Sequence, residues 1–342
     1  MTAEVLTIET PSRFEEAVRR AAELLRAGQL VALPTETVYG LAAKAWEAEA
    51  VRRIFEAKGR PAENPIIVHV ASLELARRCV SDWPAAAGRL AAAFWPGPLT
   101  LVLPRSEEIP PLVTAGGATV GVRWPSHPFM QAVIRACGFP LAAPSANLST
   151  EISPTTAEHV RKSLGARIPL IIDGGPAHVG IESSVIDLAS RPPRLLRPGM
   201  ISAQSLQAVL GEEPVEIGGA AEAIARSPGQ GLRHYSPKAR LAVLRWRDAA
   251  DLAAQVSAFG LAKEKIHVLT HSQIPLRENF GRVAILPPEA EACARALYAE
   301  LHRCDEEGAE LIIVEASPAG EQWRGIADRL RRASHGLSQP FS

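Results

Sequence analysis

Short apolar runs broken by turn residues alternate with helical periodicity along this chain, and that alternation limits the fold more than any other feature. Strand-like runs occur at Leu30–Leu33, Ile66–Val70, Leu99–Leu103, Thr119–Val122, Pro140–Ala143, Leu170–Ile172 and Ser184–Leu188. Helical spacing appears at Leu73–Val80, Pro84–Phe94, His127–Cys137 and Thr155–Leu164. A first helix is expected from a Ser12–Glu15 capping box through Phe14, Val18, Ala21 and Leu25 to a stop at Gly28. A second carries Val51, Ile54 and Phe55 and stops at Gly59. Strands separated by helices argue for an α/β sheet covered by helices. The 28 prolines favour an irregular mixed sheet over a regular barrel.

A length of 342 residues with 47% hydrophobic content is enough for two domains, each with its own core. The stretch from about 212 to 238 has little apolar pattern and holds Pro214, Gly218, Gly219, Pro228, Gly229 and Gly231. It is expected to be a linker or a functional lid. Beyond it the pattern restarts with strands Leu241–Trp246, Ile266–Leu269, Val283–Leu286 and Leu311–Val314. Helices Ala249–Phe259, Glu289–Cys304 and Gln322–Ala333 alternate with them. The expected division is a first domain over 1–211, a linker or lid over 212–238, and a smaller α/β domain over 239–342.

Several function classes are excluded early. Lys plus Arg number 37 and Asp plus Glu number 37, so no large positive field is available for tight autonomous nucleic-acid binding or for a polybasic membrane contact. No apolar run is long enough to span a bilayer. The N-terminal segment is acidic and lacks the apolar stretch of a secretion signal, which makes the cytoplasm the expected location. Cys79, Cys137, Cys293 and Cys304 form no C-x-x-C pair, so free thiols are expected rather than a disulfide framework or a zinc site. No Walker-type loop and no G-x-G-x-x-G turn is present. Gly174, Gly175 and Gly180 are as well explained by plain turns, so a bound nucleotide would have its phosphates held by side chains.

Polar residues collect around the ends of the strand-like runs. Pro34-Thr35-Glu36-Thr37-Val38-Tyr39-Gly40-Leu41 follows the first, a place where open α/β sheets bind ligands, though a simple Thr/Gly turn fits it too. Lys58 and Arg60 end a helix, where two cations could merely complement its dipole. His69 alone, within a strand, is more often a satisfied core histidine. Arg123 closes an apolar strand, a costly position without an anion. Ser145 and Asn147 follow another strand, Ser183 and Ser184 begin a third, and Arg197 ends a fourth. Their convergence signals a site better than any one of them does.

Taken together, PTETVYGL (34–41), KGRP with Asn64-Pro65, FWPGPLTLVL (94–103), VGVRWP (120–125), PSAN (144–147), ESSVID (182–187) and LRPG (196–199) resemble the L-threonylcarbamoyladenylate synthase family in its longer two-domain form. RHYSPK (233–238) is similar to that form's linker. The resemblance implies a YrdC-like catalytic domain, a twisted mixed open sheet with helices, joined by the linker to a smaller Rossmann-like α/β domain. It implies a nucleotidyltransferase that joins L-threonine, bicarbonate or CO2, and ATP into threonylcarbamoyl-AMP, releasing pyrophosphate. A downstream tRNA threonylcarbamoyl transferase would then modify adenosine in tRNA.

The resemblance also implies roles. Thr37, His69, Arg123, the Ala143 backbone and Ser183 match threonine contacts, with Arg123 on the carboxylate. Lys58, Arg60, Asn64, Thr119, Ser145, Asn147, Ser153, Arg197 and Tyr235 match the ATP side, with Lys58 and Arg60 catalytic and Tyr235 covering the adenylate. Mg²⁺ is expected on the ATP phosphates, with no protein-built metal site. Two alternatives remain: a double-stranded RNA or tRNA-binding module, which the zero net charge disfavours, and a carbamoyl-transfer enzyme of hydrogenase-maturation type, whose zinc-finger cysteines are missing here.

Overall fold

The computed structural model describes residues 2–211, 215–217, 235–272, 274 and 280–334. The chain divides into two units, Met1–Ser149 with Ser153–Gln230, and Thr150–Ile152 with Gly231–Ser342.

The first unit contains β1 (Glu4–Thr7), α1 (Pro11–Arg26), β2 (Val31–Leu33), β3 (Gly40–Lys44), α2 (Ala48–Lys58), β4 (Val68–His69), α3 (Leu73–Arg78), α4 (Ala85–Phe94) and β5 (Leu99–Pro104). It continues with β6 (Thr119–Arg123), α5 (Pro128–Cys137), β7 (Leu141–Ala142), α6 (Ala157–Leu164), β8 (Leu170–Asp173), β9 (Ser184–Asp187), β10 (Arg194–Arg197), α7 (Ala203–Leu210) and β11 (Glu216–Ile217). Its strands form one mixed sheet in the order β1-β8-β2-β3-β7-β4-β6-β5-β9-β10-β11.

The sheet is buried on both faces because its strands alternate between two apolar sets. Val31, Leu33, Ala42, Leu141, Leu170 and Ile172 pack with α1 and α5, where Phe14 and Phe129 meet edge-on at 5.1 Å between centroids. Ala32, Leu41, Ala43, Val68, Leu101 and Ile171 face the opposite way, toward Ile54 of α2, Leu90 of α4 and Val160 of α6.

Local chemistry sets the helix ends. Helix α2 stops at Gly59 in the left-handed conformation, φ 59°. Helix α1 departs from expectation: Thr10, not Ser12, is its cap, accepting from the Arg13 amide, and Pro11 holds the first helical position. A proline is favoured there because the amide it lacks would have no partner in the helix.

In the second unit, β12 (Arg240–Leu244), α8 (Ala249–Ser257), β13 (Ile266–Thr270), β14 (Arg282–Ile285), α9 (Ala290–Glu306), β15 (Leu311–Glu315) and α10 (Arg324–Ala333) follow the predicted alternation closely. The four strands are parallel, in the order β12-β15-β13-β14. Leu252 and Val256 of α8 cover Ala242, Val268 and Ile313. All four cysteines are free and buried. Among the described residues, no helix is long and apolar enough to cross a membrane.

Candidate active site

Strand directions assemble the site. β4 and β6 run parallel with His69 paired to Arg123, so both strands end together. β5 and β9 run antiparallel to β6 and begin at that same edge, with Leu99 opposite Ser184. β10 returns antiparallel to β9 and ends there at Arg197. His69, Arg123, Ser183 and Arg197 therefore come to one edge although the sequence separates them widely.

The loop Pro34–Tyr39 is drawn to these residues. Val179 N donates to Glu36 O at 2.7 Å and Gly180 N to Thr37 O at 3.1 Å. The Tyr39 hydroxyl donates to Gly175 O at 2.7 Å and accepts from Gly174 N at 3.2 Å. Thus pinned, the loop presents Thr37 Oγ1 to Arg123 Nη1 at 2.9 Å. A relay follows from the donor count: Thr35 Oγ1 donates to Val38 O at 2.6 Å, so the Thr37 hydroxyl donates to Thr35 at 2.9 Å and accepts from Arg123.

Arg123 is 4% exposed, and the same guanidinium donates Nε–H to Gly97 O at 3.3 Å. Its Nη2 lies 2.8 Å from Glu36 Oε1, a buried ion pair. Burial pushes the Glu36 carboxyl upward, but the Arg123 charge, together with hydrogen bonds from Arg123 and from the Ser126 and Glu36 backbone, holds it below its usual range. Burial, with the Arg123 charge beside it, depresses the His69 imidazole to about 3, so it is neutral at physiological pH. Ser183 shares a 2.8 Å hydrogen bond with Thr100 and receives Arg197 Nη2 at 3.1 Å on its hydroxyl. Ala143 donates its N–H to Ile67 O at 3.1 Å.

Lys58 and Arg60 do more than complement a helix dipole. Lys58 is 2% exposed, and its ammonium donates to the carbonyls of Ser145, at 2.5 Å, and Asn147. Arg60 donates Nη2–H to Pro65 O at 2.9 Å and Nε–H to Asn64 O at 3.3 Å. The Ser153 hydroxyl donates to Glu182 Oε1 at 2.5 Å. Thr119 shares a small cleft with Pro65, Ile67, Thr100, Gly121 and Val185. The cleft thus links Thr119 to Thr100, the partner of Ser183.

Tyr235 belongs to the second unit. Its backbone is left-handed, φ 62°, and its ring is 1% exposed. The ring stacks on Tyr298 at 6.1 Å and lies under the Arg329 guanidinium at 5.5 Å. Most of the 212–238 stretch, including Arg233 and His234, lies outside the described residues, and Glu216–Ile217 within it pairs with β10. Among the described residues, no group of three or more His, Cys, Asp or Glu side chains is placed to hold a metal ion. Sequence reasoning missed Glu36, Thr35, Gly97, Thr100 and Glu182. The available signal was an acid amid threonines, flanked by Pro34 and Val38.

A family profile described as telomere recombination, covering the Sua5, YciO and YrdC proteins, matches residues 23–199. A second, described as the C-terminal domain of threonylcarbamoyl-AMP synthase, matches residues 201–335. The chain belongs to the Sua5 family. It is 41% identical over 335 residues to the threonylcarbamoyl-AMP synthase of Pyrococcus abyssi, covering 96% of this chain and 97% of the relative. The Bacillus subtilis threonylcarbamoyl-AMP synthase is 40% identical over 333 residues, covering 95% of each. The crystal structure of P. abyssi Sua5 complexed with L-threonine superposes with a TM-score of 0.89 at 38% identity, over 99% of both chains. Both units therefore have counterparts in Sua5.

Proposed function

We propose that this chain synthesises L-threonylcarbamoyladenylate from L-threonine, bicarbonate or CO2, and ATP, releasing pyrophosphate, as an ATP-using nucleotidyltransferase in tRNA processing. The observation that carries this reading is Arg123, a buried guanidinium held by Thr37 and Gly97 at an edge shared with His69 and Ser183. It is a fixed cation for an amino-acid carboxylate. The full-length likeness to synthases of that name, one crystallised with L-threonine, supports it.

In this reading threonine lies at Thr37, His69, Arg123, the Ala143 backbone and Ser183. Its amine becomes a carbamate, which survives only where water is kept out. The carbamate oxygen then attacks the α-phosphorus of ATP and pyrophosphate leaves. Negative charge grows on the phosphoryl oxygens, and Lys58 and Arg60 are the cations on that side. Asn64, Thr119, Ser145, Asn147, Ser153 and Arg197 complete the ATP side. Mg²⁺ enters on the phosphates of ATP as part of the substrate. The product passes to a tRNA threonylcarbamoyl transferase, and the cytoplasm is the setting.

The test is to incubate the protein with ATP, Mg²⁺, bicarbonate and L-threonine, and follow pyrophosphate and the adenylate by mass. Release that needs both threonine and bicarbonate is expected. Equal release without threonine overturns the reading.

A further inference from the structure

The Glu36–Arg123 pair is buried at 5% and 4% residue exposure, yet it is poorly satisfied. Arg123 Nη2 reaches Glu36 Oε1 at 2.8 Å, and the Ser126 and Glu36 backbone amides are the carboxylate's other donors, but none of these approaches has good hydrogen-bond alignment. Arg123 Nη2 likewise has no well-aligned acceptor, and neither has the buried Nδ1 of His69 a well-aligned partner. Buried charges are tolerated when their hydrogen-bonding groups are filled, and a cluster left open marks a place for a ligand.

The open groups have a pattern. Glu36 offers two acceptor oxygens with a full negative charge, and Arg123 offers donors with a full positive charge. The two stand directly side by side. An α-ammonium brings three donors and an α-carboxylate brings two acceptors, one carbon apart. The pair is therefore complementary to both ends of an α-amino acid zwitterion. It is also neutral overall, so an anion that carries the carboxylate without the ammonium would meet an uncompensated Glu36.

We infer that Glu36 is a specificity-determining residue that receives the α-ammonium of the amino acid while Arg123 receives its carboxylate. This rests on the threonine site proposed above. Glu36 thereby adds a requirement for a free, protonated amine at binding and rejects hydroxy acids of the same shape. The remaining contacts of the carboxylate are unaffected, because Thr37 and Gly97 hold the guanidinium from its other nitrogens.

The experiment is calorimetric titration of the full chain, without ATP, using L-threonine and 3-hydroxybutanoate, its counterpart without the amine. The wild type is expected to bind threonine at least about tenfold more tightly than the hydroxy acid. Glu36→Gln should weaken threonine by about tenfold or more and strengthen the hydroxy acid, inverting or erasing the preference. Glu36→Asp, which keeps the charge, should restore part of the preference. Parallel weakening of both ligands in Glu36→Gln would mean that Glu36 only supports the fold. Strengthening of both would mean that it only competes for Arg123. Either result overturns the inference, as does a wild type that binds both ligands equally. A wild type that binds no threonine at all overturns the site reading instead. If Glu36→Gln does not fold, the wild-type comparison and Glu36→Asp decide alone.

Discussion

Arg197 holds Ser183 at two points, with Nε–H on its carbonyl at 3.1 Å and Nη2–H on its hydroxyl at 3.1 Å. The resemblance matches Ser183 to threonine and Arg197 to ATP, so in the proposed reading this contact joins the two halves of the reaction. An Arg side chain makes such a fork and a Lys cannot.

Arg197→Lys should therefore raise the KM for threonine as well as for ATP, although the charge is retained. Steady-state kinetics of pyrophosphate release, with each substrate varied in turn, checks it. A change confined to ATP would show that the Ser183 contact is incidental to threonine binding.

Lys58 and Arg60 give a different signature. Both are buried and already satisfied by carbonyls, so they are held in place before any phosphate arrives. Preorganised cations act where charge develops, and losing one costs roughly 10²–10³ in rate. Lys58→Ala and Arg60→Ala should lower kcat by that order and leave the threonine KM nearly unchanged. Arg123→Ala should do the opposite, because its partner carboxylate is present before the reaction begins.

Gly199, in the LRPG segment, is required for space. A Cβ there would stand 2.5 Å from Ser184 N and 2.9 Å from Glu182 O. Both neighbours are backbone, and Ser184 N is itself bonded to Pro98 O at 3.0 Å. Gly199→Ala must displace the strand entry that carries Ser183, at a cost of about 1–3 kcal/mol. A lowered melting temperature and lost activity are expected together. Gly175→Ala, in open space but at φ 80°, should lower the melting temperature without the same loss of activity.

How much of this was legible in the sequence depended on whether the signal was local. The second unit's elements were set by apolar periodicity and fell within a few residues of expectation. β3 was missed because Gly40–Lys44 reads as the tail of a motif, and its strand character comes from pairing with β2 and β7. β4 and β7 are only two residues long, shorter than their apolar runs, because the chain leaves the ladder for the site loops. The cap moved from Ser12 to Thr10 because Pro11 fixes the first turn. Arg123, Ser145, Asn147, Ser183 and Arg197 were singled out by their positions at strand ends and Asn64, Thr119, Ser153 and Tyr235 through the resemblance, but none of their partners was. No spacing rule tells that Arg123 meets Glu36 or that Thr100 meets Ser183, since sheet order alone brings them together.

His69 ties the site to the pH dependence of the whole fold. Its imidazole is buried, with no well-aligned partner for Nδ1, and is depressed to about 3 by burial and by Arg123. In the unfolded chain a histidine titrates near 6.5. Between these values the unfolded chain binds a proton that the folded protein refuses, so stability is full above about 6.5 and falls as the pH drops. The slope from one such group is about 1.4 kcal/mol per pH unit. His127 is depressed too, chiefly by burial, and adds in the same direction. The carboxyl of Glu36, held below its usual range, contributes only in more acid solution. Denaturant unfolding at pH 7.5, 6 and 5 should therefore show falling stability in the wild type and a shallower fall in His69→Gln, with His127 and His267, which burial also depresses, contributing to what remains. Equal slopes for the two proteins would mean that His69 is protonated in the folded state, beside Arg123. Its place among neutral contacts for threonine would then be lost.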